Sequence, residues 1–101
     1  MSGHDPQRPL KVGVIGCGLI AKVMHLPYMA EMPDRFEIAA LCDISPNVLE
    51  ECARRYGVSK TFSDWEQMLE EPLDAILVLT PVSHAPPALA AMERGMSVLV
   101  E

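Results

Sequence analysis

The sequence predicts an α/β fold in which helices cover both faces of a parallel β-sheet, an arrangement called a doubly wound sheet. Short apolar runs, typical of buried strands, alternate along the chain with longer segments of helical period. The connections between these segments are short, and parallel strands joined in this way take right-handed helical crossovers. We therefore expect five strands in the spatial order 3-2-1-4-5, with the sheet truncated before its last strand.

The first half of the chain predicts two strands, each followed by a helix, after a flexible lead-in over residues 1–10. Pro27 falls inside the first helical pattern, where proline lacks an amide hydrogen and should break or kink the helix. Ser45 is a favourable N-cap for the second helix, and Gly57 suits its C-terminal end. The strands are expected at residues 12–15 and 36–42, and the helices at residues 19–32 and 46–56.

The second half of the chain predicts three strands, at residues 60–62, 75–79 and 98–100, with a helix in each interval. Ser63 and Glu66 form a capping box before the third helix. Pro86 and Pro87 suit the first turn of the fourth helix, because amide groups there lack intrahelical partners. The fifth strand is an edge, and soluble proteins usually cover such an edge. We therefore expect residues 11–101 to be an incomplete domain of a longer protein.

Composition and charge argue against several classes of partner. The chain has 101 residues, 50% of them hydrophobic, which suits one domain with a real core. A formal net charge of −6 and the lack of a basic stripe argue against nucleic acid and anionic membranes as partners. Cys17, Cys42 and Cys52 are odd in number and lack a C-x-x-C spacing, so we expect a cytoplasmic protein. His25, Cys17 and Cys42 lack metal-ligand spacing, so no metal site is expected.

A glycine-rich turn links the first strand to the first helix. Residues 16–21 read Gly-Cys-Gly-Leu-Ile-Ala, the G-x-G-x-x-G/A pattern of dinucleotide-binding Rossmann folds. Gly16 permits the tight turn, and Gly18 leaves room for a pyrophosphate to approach the backbone. Leu19 and Ile20 then open the helix, whose unpaired amides and positive dipole end favour phosphate. Cys17, between the glycines, is expected to be an inert packing residue, because pyrophosphate would repel a thiolate.

Asp43 follows the second strand at the spacing at which such folds place an acid near the adenosine ribose. A carboxylate there accepts hydrogen bonds from ribose hydroxyls and repels a 2′-phosphate, so NAD is the expected cofactor and NADP the less favoured one. Ile44, the next residue, is included among the expected cofactor contacts. In the alternative interpretation Asp43 caps the helix that follows Ser45, and the two roles can coexist.

Thr80 and Pro81 follow the fourth strand on the carboxyl side of the sheet, where the ligands of such folds collect. They are expected to contact the cofactor, and the alternative is a simple loop with a rigid turn. His84 is expected to orient cofactor or substrate, and the alternative is a polar residue in the first turn of the fourth helix.

Five stretches of the sequence carry a resemblance to a known family. They are VGVIGCGLIA, the bend at His25-Leu26-Pro27, IAALCD ending at Asp43, LTPVSHA, and the tail GMSVLVE. Together they resemble the N-terminal domain of the glucose–fructose oxidoreductase, inositol dehydrogenase and MocA (Gfo/Idh/MocA) family, over residues 11–101. In one departure, two residues separate Thr80-Pro81 from His84, where the family commonly has three.

The resemblance implies an oxidoreductase that uses NAD or NADP on a sugar, polyol or related small molecule. In the family, a second domain holds most substrate contacts, and a lysine of a Glu-Lys-Pro motif lies near the reacting carbon. Only the glutamate, Glu101, is present here, so the chain is expected to bind cofactor without turnover and to hold no catalytic residue. The full-length protein is expected to be a homo-oligomer. The expected cofactor contacts are Gly16, Gly18, Leu19, Ile20, Asp43, Ile44, Thr80, Pro81, Val82, His84 and Glu101.

Two functions from other classes are compatible with the sequence. An S-adenosylmethionine-dependent methyltransferase also uses a glycine loop and an acid after its second strand, although the G-x-G-x-x-A form and the Thr80-Pro81 pair favour nicotinamide. A non-catalytic NAD-sensing or scaffold module is the second alternative. Binding assays with both cofactors test the first alternative, and the residues that follow Glu101 test the second.

Overall fold

A computed structural model describes residues 8–18, 25–79 and 85–100, which form a five-stranded parallel sheet in the order β3-β2-β1-β4-β5. The strands are β1 (Leu10–Ile15), β2 (Phe36–Cys42), β3 (Thr61–Phe62), β4 (Ala75–Val78) and β5 (Ser97–Val100). The helices are α1 (Leu26–Ala30), α2 (Pro46–Tyr56), α3 (Trp65–Met68) and α4 (Ala85–Glu93). The predicted fold class and strand order are confirmed.

Helices cover both faces of the sheet, and each face has its own core. Val12, Val14 and Leu41 point to one face, where they pack with residues of α1 and α2. Ile15 and Ile76 point to the other face, where they pack with residues of α3 and α4. β1 lies between β2 and β4 and is buried on both faces, which accounts for its nearly continuous apolar sequence.

The structure corrects one predicted helix start, that of α3, and shows where Pro27 lies in α1. Pro27, which was expected to break or kink the first helix, stands in the first turn of α1 as the structure describes that helix. The earlier part of that predicted helix, residues 19–24, lies outside the described residues. The N-cap of α3 is Asp64 rather than Ser63, because the Asp64 carboxylate accepts the amide hydrogen bond of Glu66 at 2.9 Å.

The N-terminal boundary of the folded domain lies earlier than residue 11. β1 begins at Leu10, and the Arg8 guanidinium donates two hydrogen bonds to the Asp74 carboxylate, at 2.9 and 3.2 Å. Asp74 also accepts the backbone amide of Lys11 at 2.8 Å. These contacts join the start of β1 to the residue before β4, so residues 8–10 belong to the domain and not to the lead-in.

Gly13 in β1 is a glycine because of packing. A Cβ added there would lie 2.7 Å from Cδ1 of Leu73, 3.0 Å from Cδ1 of Ile76 and 3.0 Å from Cε of Met68. We expect Gly13→Ala to lower the free energy of unfolding by about 1–3 kcal/mol, because three side chains must shift inside a filled core. Urea denaturation measures the loss. A free energy of unfolding within about 0.5 kcal/mol of wild type would show that the three side chains can shift at little energetic cost.

β5 presents an exposed apolar edge. Among the described strands it pairs with β4 alone, and Leu99 and Val100 are 51% and 43% exposed. We expect the 101-residue chain to self-associate through this edge, since its backbone groups can pair with a second strand. Sedimentation velocity should show association that Leu99→Lys weakens, whereas Leu89→Lys, at a 57% exposed position of α4, should leave the association unchanged. A wild-type monomer over a wide concentration range would contradict this expectation.

Candidate functional site at the carboxyl edge of the sheet

The carboxyl ends of β1, β2 and β4 lie side by side. Ile15, the last residue of β1, is in register with Cys42 on one side and Val78 on the other. The amide of Leu79 donates to the Ile15 carbonyl at 2.8 Å, which brings the residue after β4 next to the start of the glycine loop. After β1 the chain adds β2 and β3 on one side of that strand, and it then adds β4 and β5 on the other side. This is the switch point at which doubly wound sheets bind ligands.

The glycine loop leaves β1 at this point. Gly16 has a φ of 98°, a left-handed conformation that favours glycine, and its amide donates to the Cys42 carbonyl at 2.8 Å. Gly18 is exposed and does not have a left-handed φ, and a Cβ added there would meet nothing within 4 Å. Neither the backbone nor the packing of the described residues therefore requires a glycine at position 18. No described residue occupies the space above it.

The Cys17 side chain lies beneath the loop in the core. It is fully buried, and its Sγ lies 3.8 Å from the Cys42 carbonyl oxygen. A hydrogen bond with Cys52, then burial, and then the neighbouring charges raise the pKa of the Cys17 thiol far above its ordinary value. Burial, with smaller contributions from Asp43 and Asp64, raises the pKa of Cys42 to about 11. Both thiols are protonated at neutral pH, as expected of packing residues.

The thiol pKa values predict slow alkylation in the folded protein. An ordinary thiol pKa of 9.0 raised to about 11 lowers the thiolate fraction of Cys42 at pH 8 by roughly a hundredfold. We expect Cys42 and Cys17 to react with iodoacetamide at least that much more slowly in buffer than in urea. The rate at Cys42 should rise about tenfold per pH unit until the pH approaches its pKa of about 11. Peptide mass spectrometry gives the rate for each cysteine. Rapid labelling of either residue in the native protein would contradict this expectation.

Asp43 joins the glycine loop to the start of α2. Its Oδ2 accepts the backbone amide of Cys17 at 2.7 Å, and its Oδ1 accepts the backbone amide of Ser45 at 2.8 Å. The N-cap of α2 is Ser45, whose Oγ lies 3.5 Å from the amide nitrogen of Val48. Asp43 therefore supports the turn before the helix without being its N-cap. The contact with Cys17 was not predicted, because the two residues are 26 positions apart.

Ile44 is 90% exposed although it is a large apolar residue. It lies between Asp43 and the Ser45 N-cap, at the carboxyl edge of β2. A side chain in this position contributes no burial to the described core, so it adds an apolar surface beside the Asp43 carboxylate. Such a pairing of one apolar and one acidic group suits a ligand with a ring and hydroxyl groups.

The structure places four of the predicted contact residues, Gly16, Gly18, Asp43 and Ile44, along the ends of β1 and β2. The other predicted contacts lie outside the described residues, and their roles stay predictions: Leu19, Ile20, Thr80, Pro81, Val82, His84 and Glu101. Within the described ranges, no three His, Cys, Asp or Glu residues are grouped so that they could hold a metal ion. Likewise, no helix in the described part of the chain has the length and hydropathy to cross a membrane.

Comparison with known proteins agrees with this arrangement. The family model Gfo/Idh/MocA, described as an oxidoreductase family with an NAD-binding Rossmann fold, matches residues 10–101. Levoglucosan dehydrogenase of Pseudarthrobacter phenanthrenivorans is 34% identical over 91% of the chain. The WlbA dehydrogenase of Chromobacterium violaceum, solved with NADH and UDP-GlcNAcA, is 27% identical over 92% of the chain, with a TM-score of 0.85. A 3-ketoreductase variant from Actinomadura kijaniata, solved with NADP and TDP-benzene, is 29% identical over 92% of the chain, with a TM-score of 0.79.

The chain spans only about a quarter of the length of these relatives. It covers 26% of levoglucosan dehydrogenase, 27% of the WlbA dehydrogenase and 30% of the 3-ketoreductase. One of the two solved relatives carries NADH and the other carries NADP. The fold alone therefore does not choose between the two cofactors, and that choice depends on the residues at the ribose end of the site.

Proposed function

Because this chain belongs to the Gfo/Idh/MocA oxidoreductase family, whose fold binds NAD, we propose that it is the cofactor-binding part of a dehydrogenase acting on a sugar, polyol or related small molecule. The observation that carries the proposal is that no described residue lies within 4 Å of a Cβ built on Gly18, at the switch point of the sheet. A protein that used this loop only as a connection would have no need of a glycine there. A pyrophosphate close to the backbone requires one.

The described residues suit the adenosine half of the cofactor. The exposed amide edge of the loop at Gly18 would receive the pyrophosphate, and Asp43 would accept hydroxyl hydrogen bonds from the adenosine ribose. Ile44, an apolar side chain that is 90% exposed, would lie against the adenine ring. Leu19, Ile20, Thr80, Pro81, Val82, His84 and Glu101 complete the proposed contacts.

When cofactor is bound, its nicotinamide ring is the hydride acceptor. The role of this chain is to bind and orient the cofactor. Sugar-like substrates are supported by the names of the relatives, which include a levoglucosan dehydrogenase and a dehydrogenase solved with a nucleotide sugar. On this proposal, most substrate contacts belong to a second domain of a longer, cytoplasmic, homo-oligomeric protein, and the lysine near the reacting carbon would follow Glu101 in a Glu-Lys-Pro motif. The chain alone is then expected to bind NAD and to oxidise nothing.

Titration calorimetry with NAD tests the proposal directly. The 101-residue chain is expected to bind NAD at micromolar to submillimolar concentrations, and S-adenosylmethionine should give no saturable heat. Binding of S-adenosylmethionine without NAD would favour a methyltransferase instead. The full-length protein is then assayed for reduction of NAD with a panel of sugars and polyols. NAD binding without any turnover by the full-length protein would favour a sensing or scaffold module.

A further inference from the structure

The Asp43 carboxylate accepts two hydrogen bonds from backbone amides, and contact with a ribose would require neither of them. Oδ2 accepts from the amide of Cys17 at 2.7 Å, in the middle of the glycine loop. Oδ1 accepts from the amide of Ser45 at 2.8 Å, at the start of α2. One side chain thus holds together the two backbone segments between which a dinucleotide would lie.

We propose that Asp43 is a positioning residue that holds the glycine loop in its binding conformation before the cofactor arrives. This inference rests on the proposed function, because it concerns the same site. Cys17 is flanked by Gly16 and Gly18, and glycine loses more conformational freedom on ordering than any other residue. A loop of this kind binds weakly if the ligand must order it, and a bond formed in advance removes that cost.

Two separate contacts hold the glycine loop at Cys17: the burial of its side chain, and the hydrogen bond from its backbone amide to Asp43. The buried Cys17 side chain hydrogen-bonds Cys52, and its Sγ lies 3.8 Å from the Cys42 carbonyl oxygen. The Cys17 amide has a separate partner, the half-buried Asp43 carboxylate. A hydrogen bond to a charged acceptor is stronger than a neutral one, so the Asp43 contact is the stronger tether of the backbone.

Positioning the loop and accepting the ribose are compatible roles. Each carboxylate oxygen can accept about two hydrogen bonds. Oδ1 and Oδ2 of Asp43 each accept one from the described backbone, which leaves capacity on both for ribose hydroxyls. The two roles differ in what they require of the ligand, because loop positioning favours every ligand of the loop and ribose contact favours only ligands with ribose hydroxyls.

Amide hydrogen exchange of the cofactor-free protein tests the positioning role without any ligand. The Cys17 amide is expected to exchange roughly tenfold faster, or more, in Asp43→Ala than in wild type. Asp43→Asn keeps one acceptor oxygen and should give an intermediate rate, and it serves if the alanine variant does not fold. Asp64→Ala is the matched control, because Asp64 supports the start of α3 in the same way but does not contact the loop. Unchanged exchange at Cys17 in both Asp43 variants would overturn the inference.

A cofactor analogue separates positioning from ribose contact. The NAD analogue with 2′,3′-dideoxyadenosine has no adenosine ribose hydroxyl for Asp43 to accept. It is expected to bind Asp43→Ala roughly tenfold more weakly than wild type, and Asp64→Ala like wild type. Equal binding to wild type and Asp43→Ala would overturn the inference and restrict Asp43 to the ribose. If wild type bound neither NAD nor the analogue, the proposed function would fail, while the exchange measurement would still decide the positioning role.

Discussion

Replacing Gly18 with valine is expected to abolish measurable NAD binding, a loss of at least roughly a hundredfold in affinity, while the fold survives. A Cβ at position 18 meets nothing within 4 Å among the described residues, so those residues leave room for the side chain. Gly18 also lacks a left-handed φ, so valine brings no backbone strain of that kind. The same side chain would occupy the space that the pyrophosphate needs.

Calorimetry with NAD measures the affinity, and circular dichroism with thermal denaturation checks the fold. Gly57→Val is the matched control, because position 57 is equally open but has a φ of 67° at the end of α2. We expect that control to lose about 1–2 kcal/mol of stability and to bind NAD as wild type does. A folded Gly18→Val variant with wild-type affinity would show that the pyrophosphate does not lie at this loop.

A preference for NAD over NADP of roughly a hundredfold is the second large effect that we expect. The Asp43 carboxylate lies where the adenosine ribose is proposed to bind, and a 2′-phosphate there would face a like charge at close range. Residues 44–47, Ile-Ser-Pro-Asn, contain no arginine or lysine to offset the repulsion. Arg54 lies on the exposed side of α2, where its guanidinium is 4.0 Å from the Glu50 carboxylate.

Binding isotherms for both cofactors at one ionic strength measure this preference. The ratio of the two dissociation constants should shrink in Asp43→Ala, and it should reverse only when that change is combined with an arginine such as Ile44→Arg. The ratio is the informative quantity, because loss of the loop contact weakens both cofactors together. Equal wild-type affinities for NAD and NADP would contradict the placement of the ribose at Asp43.

Much of the fold follows from local sequence patterns, because those patterns have local causes. β2 spans residues 36–42, as its apolar run predicted, and α2 begins after Ser45 and ends at Gly57, as the capping residues predicted. The strand order was also predictable, since short parallel connections have one preferred hand. The start of α3 was missed because Ser63 and Asp64 are both good N-cap residues, and the choice between them depended on the path of the chain after β3.

Sequence by itself determined the glycine loop, the acid after β2 and their position at one edge of a parallel sheet, because motif spacing and strand polarity suffice for these. Only the tertiary structure decided why each glycine is there. Gly13 is confined by Leu73, Ile76 and Met68, whereas Gly18 faces open space. It also decided that the Asp43 carboxylate accepts the Cys17 amide, a contact between residues 26 positions apart. The surroundings of the glycines and the Asp43–Cys17 contact both involve residues that are far apart in sequence. Only the packing of the folded chain determines which of those residues come together.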